Sequence, residues 1–466
     1  MKKINIILYF IMIISFIILS CSVLRLDILP VKYLIIYFSL VGVFSLIVGL
    51  FTFINKNKII RYIILVLMVL ISIISFYVSF IVLDKADDFL ENINEVTENS
   101  VFYLIGLKDN EYKSIEDLKD KTIGVSNNCT DDVINSLKSK VELKVVKYDN
   151  LLNLYNDLLD KKIDGIYIEA NIKRLFEEMN EDFSDKVSTV EEVTVKSVIE
   201  EKKRKEEEAK LKDTINVYIS GIDTYGAINT VARSDVNIIM SINQKKKKIL
   251  LTTIPRDSYV QLHGTTGPKD KLTHAGIYGI DMSVTTLEDL LGINIDYYVR
   301  VNFDTLISVI DTIGGVDVYS NYTFYSRGCQ FYAGNNHMNG KQALAFARER
   351  YLLPGGDRER GRNQQAIITA IINKVTSSDV LLKNYSEILS NLSYSFNSDI
   401  EDELIRDFVK EQLKAKSSWE IRSISVDGYG MHTTSTYSMP GWNLYVMVPY
   451  EETIVNARNE INSLNG

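Results

Sequence analysis

Three apolar runs, residues 4–23, 31–54 and 63–83, open this chain, each about the ~20 residues a helix needs to cross a hydrocarbon core. A backbone in lipid must satisfy its own hydrogen bonds, so the first 84 residues are committed to three membrane helices before any soluble fold is considered. Flanking charges set the orientation. Lys2 and Lys3 precede the first run, and Lys56, Lys58 and Arg61 separate the second from the third; Arg25, Asp27 and Lys32 share the first loop, while Asp84, Asp87, Asp88 and Glu91 follow the third run. The cation bias predicts a multi-pass cell-membrane protein with its N-terminus inside and residues 84–466 extracellular. Ile18-Leu19-Ser20-Cys21 has the outline of a poor lipoprotein box, but two further spans make Cys21 an ordinary membrane residue.

The exterior part is long enough for two cores. Residues 200–213 hold the run Glu200-Glu201-Lys202-Lys203-Arg204-Lys205-Glu206-Glu207-Glu208, whose mixed signs suit a solvated helical connector. The expected division is a membrane anchor (1–84), a small α/β accessory domain (85–199), the connector (200–213) and a catalytic domain (214–466). In residues 99–199, β-like runs at 101–106, 122–125, 143–148 and 165–168 alternate with helical ones at 115–119, 130–138 and 151–160, which predicts parallel strands. The phrases Ser114-Ile115-Glu116-Asp117-Leu118-Lys119 and Lys162-Ile163-Asp164-Gly165-Ile166-Tyr167 resemble one lobe of periplasmic solute-binding proteins. With only one lobe present, the unit reads as an interaction domain. Cys129 and Cys329 fall in separate domains, giving no reason to expect a disulfide, and the four scattered histidines read as surface or satisfied polar residues.

The C-terminal domain begins with three strand-like stretches, around residues 215–219, 235–242 and 249–254. Tight connections would bring Asp223, Arg233, Asp235 and Arg256 to adjacent strand ends. Helical stretches follow at 283–291, closed by Gly292, and at 303–313, closed by Gly314-Gly315; others run over 341–347 and 359–375. The fold class is α/β, with a mixed central sheet covered by helices.

Charge singles out one region. The chain carries −8 overall, and residues 1–83 hold seven basic groups against Asp27 alone, leaving −14 for the rest. Residues 341–362 nevertheless hold Lys341, Arg348, Arg350, Arg358, Arg360 and Arg362 against Glu349, Asp357 and Glu359, a local +3. An acidic domain repels nucleic acid, so this island needs a smaller anionic partner. Carboxylates for a hard divalent cation and guanidiniums for phosphate oxygens describe a pyrophosphate site. Arg360 and Gln364 are four apart on one helix and share a face, whereas Arg362 points elsewhere. Arg348 and Arg350 are two apart, about 200° on a helix, so if both meet one ligand the chain there must have left the helix. Pro354-Gly355-Gly356 supports that exit.

At these residues the sequence resembles the LytR-CpsA-Psr family of cell-wall polymer transferases, and it follows the arrangement of capsule-type members. The matching elements are Gly221-Ile222-Asp223, Arg233-Ser234-Asp235, Ile254-Pro255-Arg256-Asp257, Lys271-Leu272-Thr273-His274-Ala275, Gly314-Gly315-Val316, the run from Ala343 to Arg350, and Asp357 through Gln364. The resemblance implies a magnesium-dependent phosphotransfer outside the membrane. The donor would be an undecaprenyl-pyrophosphate-linked glycopolymer (teichoic acid, capsule or another wall polysaccharide) and the acceptor a muramic acid hydroxyl of peptidoglycan, at the lipid bilayer and without nucleic acid. It further implies that Asp223 and Asp235 bind Mg2+, and that Arg233, Arg256, Arg348, Arg350, Arg360 and Gln364, with Lys271, meet the substrate. Asp235, Asp257 or the metal itself remains open as the agent that activates the hydroxyl. The polyprenyl chain would need an apolar slot, for which residues 307–313 and 367–372 are candidates. A pyrophosphatase with water as acceptor, or a non-catalytic regulator that binds polyprenyl phosphates, are the alternatives.

Overall fold

The computed structural model describes residues 2–27, 29–54, 57–83, 97–127, 129–180, 182–198, 213–222, 232–376, 396–415 and 417–464. Among these residues three helices are long and apolar enough to cross a membrane: α1 (Lys2–Leu26), α2 (Val31–Ile54) and α3 (Lys58–Tyr77), the last continued by a π turn over Val78–Leu83. Asn57 caps α3 by accepting from the Ile59 N–H at 2.9 Å, so the helix starts before its apolar run and takes Lys58 and Arg61 into its first turns. Met12, Val48, Ile64 and Met68 form the seam between the helices. Asn5 donates to the Arg61 carbonyl, and Ser22 and Ser79 share a hydrogen bond, the polar contacts that hold helices together where no hydrophobic drive exists.

The accessory unit is a five-stranded sheet, β1 (Thr97–Leu107), β2 (Thr122–Ser126), β3 (Lys144–Tyr148), β4 (Gly165–Glu169) and β5 (Val187–Val198), in the order β3-β2-β4-β1-β5. β2 runs parallel to β3 and β4, as the alternation predicts. β1 is antiparallel to both β4 and β5, so the sheet is mixed rather than parallel throughout. Glu191 and Glu192 break the apolar alternation of β5, which is why the sequence pattern does not announce it. On one sheet face, Tyr155, Phe176 and Phe183 are joined by Met439, Trp442 and Leu444, which arrive from far along the chain. The Trp442 and Phe176 rings stack at 6.4 Å and 9°. The connector predicted at 200–213 lies outside the described residues except for Asp213.

The C-terminal domain is built on a six-stranded mixed sheet. Its antiparallel centre is β6 (Thr214–Ile222), β7 (Ser234–Asn243) and β8 (Lys248–Thr253). Tyr297–Val301 adds in parallel to β6, Glu420–Ser425 in parallel to β8, and Asn397–Ser398 closes one edge. Only the β7–β8 connection is tight; the chain between β6 and β7 runs over 223–233, longer than expected, and its residues 223–231 lie outside the described ones.

Side chains alternate between the two faces of this sheet. Tyr218, Ile239 and Tyr298 face the helices Ile280–Leu291 and Glu451–Ser463 in the largest core. Ile219, Val236, Met240 and Val299 face the other way, toward the helices Phe303–Thr312, Asp357–Thr376 and Asp402–Ala415. Helix stops fall where the glycines predict: Gly314 and Gly315 adopt φ of 76° and 82°, a region costly for other residues. A Cβ on Gly340 would lie 2.4 Å from the Ile307 carbonyl oxygen, so glycine is what lets the helix Gly340–Arg348 approach Phe303–Thr312 so closely.

Candidate active site

A cavity of about 640 Å³ lies between the second sheet face and its helices. Its interior is apolar: Ile219 and Met240 from the sheet, Leu306 and Val309 from one helix, Ile367, Ile368, Ile371 and Ile372 from another. Of the two stripes predicted as a lipid slot, 367–372 supplies this lining. The stripe 307–313 does so less, because Ile310 and Ile313 turn into a separate core with Val316 and Phe346.

Charge gathers at the mouth. Arg233, Arg256, Arg327, Arg348, Arg350 and Arg360 line the cavity together with Gln364, and Asp235 is the acid among the described lining residues. Asp235 owes its place to a β-bulge: Gly221 pairs with Val236 and Ile222 with Ser234, so Asp235 is the extra residue between them. Bulges of this kind re-aim one side chain at a strand end. Asp235 Oδ2 accepts from Arg256 at 2.5 Å and Oδ1 accepts from Thr273 Oγ1 at 3.0 Å. The Thr273 N–H in turn donates to the Arg256 carbonyl at 2.9 Å, so three sequence motifs are knitted into one corner.

Arg348 closes its helix, and Glu349 is already extended with ψ of 132°, the exit that lets both Arg348 and Arg350 reach the cavity. Glu349 secures the bend. It is buried, accepts from the Arg350 and Leu352 N–H groups at 2.9 and 3.0 Å and from Ser326, rather than serving as a counter-charge on a solvated face. Burial opposes its ionisation, but Ser326 and those N–H groups hold its carboxyl below the ordinary range. Arg348 stacks on the Phe303 ring at 4.0 Å, a contact that orients the guanidinium through its face, and Arg350 stacks on the Tyr351 ring at 4.4 Å while also donating to the Tyr351 hydroxyl.

Arg360 and Gln364 both line the cavity from one helix, while Arg362 faces a different groove. Burial, with the charges of Arg256 and Arg350, pulls the Arg360 guanidinium below its usual value despite Asp357 at 2.6 Å. A cation held under that pressure gains most from an incoming anion.

Lys271 stands apart from the cavity lining and pairs with Asp257 at 2.9 Å. Burial pushes the Asp257 carboxyl up, but Lys271 and Arg256 outweigh it and hold it below the ordinary range, which makes it a weak proton acceptor. Asp223 lies outside the described residues. Sequence reasoning did not single out Arg327, held in the two-residue turn Arg327-Gly328 with positive φ at both positions; an arginine in an unremarkable hairpin carries no signal. Nor did it single out Phe303, Tyr351 or Thr273 for their contacts with the charged residues. Arg300 is fully buried but alternates onto the other sheet face. His263, His274 and His337 each contact a carboxylate, and Cys21, Cys129 and Cys329 are free.

Residues 182–448 match the model of the LytR_cpsA_psr family. A polyisoprenyl-teichoic acid–peptidoglycan teichoic acid transferase, TagU of Bacillus mycoides (strain KBAB4), is 32% identical over 218 residues, covering 47% of this chain and 70% of the relative. Its namesake from Enterococcus faecalis (strain ATCC 700802 / V583) is 34% identical over 205 residues, 43% and 67% of the two chains. Among solved structures, B. subtilis TagV is similar at 30% identity and a TM-score of 0.47 over 54% of this chain and 97% of its own. TagT bound to LIIa-WTA is similar at 27% identity and a TM-score of 0.42 over 55% and 92%.

Proposed function

The chain belongs to the LytR_cpsA_psr family, and from that premise we propose that it is an extracellular phosphotransferase that moves a glycopolymer from undecaprenyl pyrophosphate to peptidoglycan. One observation carries the reading: six arginines crowd the mouth of a cavity whose interior is aliphatic. A ligand matching both ends has a strongly anionic head on a long hydrocarbon chain, as a polyprenyl pyrophosphate has. Wall teichoic acid is the favoured polymer, because the named relatives are teichoic acid transferases.

In this reading the muramic acid hydroxyl attacks the phosphorus on the glycan side of the pyrophosphate. A new phosphodiester forms, the bond to the prenyl phosphate breaks, and undecaprenyl phosphate leaves. Negative charge grows on the equatorial and bridging oxygens, where preorganised guanidiniums stabilise it most. Arg348 and Arg350 enter from the extended exit of their helix, Arg360 and Gln364 from the neighbouring one, and Arg233 and Arg256 from the ends of β7 and β8. Gln364 also donates to the Ala347 carbonyl at 3.4 Å, tying the two helices together behind the head group. Asp235, which lines the cavity, receives the hydroxyl proton, whereas Asp257 stands outside the lining.

The carboxylate chemistry of Asp235 supports a magnesium ion here. Each Asp235 oxygen accepts one hydrogen bond and keeps a further lone pair, and magnesium binds through one or two carboxylates while retaining waters. Asp235, with Asp223, would hold it, and the ion would neutralise pyrophosphate charge. Transfer of a glycan from a synthetic undecaprenyl-pyrophosphoryl disaccharide to peptidoglycan fragments tests the proposal. The expected product is glycan-linked peptidoglycan, reduced ~100- to 1,000-fold in Asp235→Asn. Release of glycan phosphate to water with no linked product would establish the pyrophosphatase instead.

A further inference from the structure

The helix Asp402–Ala415 has two working faces. On one, Leu404 and Phe408 pack against the sheet at Ile215, Val217 and Tyr297, beside Met240 and Val299. Met240 and Val299 also line the cavity, so this helix covers the continuation of the same sheet face. Gln412 bonds the helix to the Thr376 carbonyl at 2.9 Å, at the end of the helix whose Ile371 and Ile372 line the cavity. The arginine-rich mouth lies toward the opposite end of β6, by Gly221 and Ile222. Gly221 is four steps along the strand from Val217, so mouth and apolar end are on the order of 13 Å apart along β6.

The second face of the helix meets the membrane anchor. Lys410 Nζ pairs with Asp27 Oδ2 at 2.5 Å, and Arg406 Nη1 donates to the Arg25 carbonyl at 3.5 Å. Arg406 and Lys410 are four apart and so share one side of the helix. Asp27 directly follows α1, at the end where the first apolar span stops. The element beside the apolar end of the cavity is therefore the one that touches the outer end of the anchor.

We propose that this contact is a docking clamp. The Asp402–Ala415 helix seats the catalytic domain on the chain's own first loop, so that the apolar end of the cavity opens at the membrane surface and receives a polyprenyl chain directly from the bilayer. The inference rests on the transferase reading above. A partly exposed ion pair is weak, but the domain is tethered to its anchor, and at such effective concentration a weak contact suffices to select one orientation.

Two measurements on the full-length protein in liposomes separate this clamp from the reading it rests on. Transfer is compared for an undecaprenyl-pyrophosphoryl disaccharide in the bilayer and for a water-soluble geranyl analogue. Lys410→Asp should lower transfer from the bilayer donor roughly tenfold, by loss of effective concentration, and leave the soluble donor unaffected; Asp27→Lys with Lys410→Asp should restore it. In a background with Cys21, Cys129 and Cys329 replaced by serine, Asp27→Cys with Lys410→Cys should cross-link with a short bis-maleimide, which bridges the Cα separation that a lysine–aspartate pair imposes and a direct disulfide does not. Equal effects of Lys410→Asp on both donors, or no cross-link, overturn the clamp. Absence of transfer from either donor by the parent overturns the transferase reading, while the cross-link still reports on the docking.

Discussion

Replacing Arg360 with alanine, and separately Arg362, exchanges the usual relation between activity and stability. Arg360 is 12% exposed and lines the cavity; burial and the charges of Arg256 and Arg350 already disfavour its cation. Removing it relieves that pressure and uncovers Asp357 Oδ1, buried while Arg360 stands over it, on a side chain that is already 36% exposed. Its deletion should therefore leave the melting temperature within a few degrees. Loss of one preorganised donor to a developing phosphoryl charge typically costs ~100- to 1,000-fold in rate, about 2.7–4 kcal/mol. Arg362 is 63% exposed, away from the cavity, but its partner Glu359 is only 4% exposed. Arg362→Ala strands that buried carboxylate, at a cost of about 1–3 kcal/mol in stability, and should keep transfer within about twofold, since no donor to the transition state is lost. Transfer from undecaprenyl-pyrophosphoryl disaccharide to peptidoglycan fragments gives the rates, and thermal unfolding the stabilities. Similar activity losses in both variants, or a fully active Arg360→Ala enzyme, would refute the helix geometry on which the site rests.

Phe303→Leu removes the ring beneath Arg348, and a cation–π contact of about 0.5–2 kcal/mol should appear as a ~2- to 30-fold rise in donor KM with little change in melting temperature; unchanged KM would mean the ring only fills space. Asp270 is fully buried, contacts His274 at 2.7 Å and accepts from the Ser438 N–H at 2.8 Å. Burial alone would raise its carboxyl, but His274 and Ser438 bring it below the ordinary range. Its stabilisation is thus full above the unfolded value near ~4 and is lost as pH falls through the lower folded value. Asp270→Asn should cost about 3 kcal/mol at neutral pH by urea unfolding, and the gap to the parent should shrink below pH ~4; a gap constant with pH would refute the assignment. Trp442→Ala should cost about 3–5 kcal/mol and loosen the accessory unit as well as its own segment, read by hydrogen exchange across residues 151–183.

Where the sequence speaks through local chemistry, the structure agrees with it closely. Glycines mark the helix ends at Gly292 and Gly314, and the two-residue spacing of Arg348 and Arg350 requires the extended exit seen at Glu349. The fourfold spacing of Arg360 and Gln364 puts both on the cavity. What the sequence leaves illegible depends on pairing across distance. The bulge that aims Asp235 is a register property of β6 with β7, and no local pattern encodes it. β1 running antiparallel within the accessory sheet is likewise decided by tertiary packing, since strand propensity carries no direction. Lys271 shows the reverse: a motif residue that supports Asp257 instead of lining the cavity. Arg327 reaches the mouth only because a hairpin folds back onto it.

Trp442 and Phe176 stand in one aromatic cluster yet are 266 positions apart in the chain. That separation gives the accessory unit a temporal dependence. As the polypeptide emerges from N- to C-terminus, its sheet can form early, but the pocket framed by Tyr155, Phe176 and Phe183 stays open until residues 439–444 have been made. Closing so long a loop adds little free energy, because the cost grows only with the logarithm of length, but it places the contact late among folding events. A chain cut short before residue 439 would leave an apolar cleft on an otherwise folded sheet, a surface that quality-control proteases and chaperones recognise. Trp442 thus orders events in time: the accessory unit reaches its final packing only on molecules in which residues 439–444 have been made.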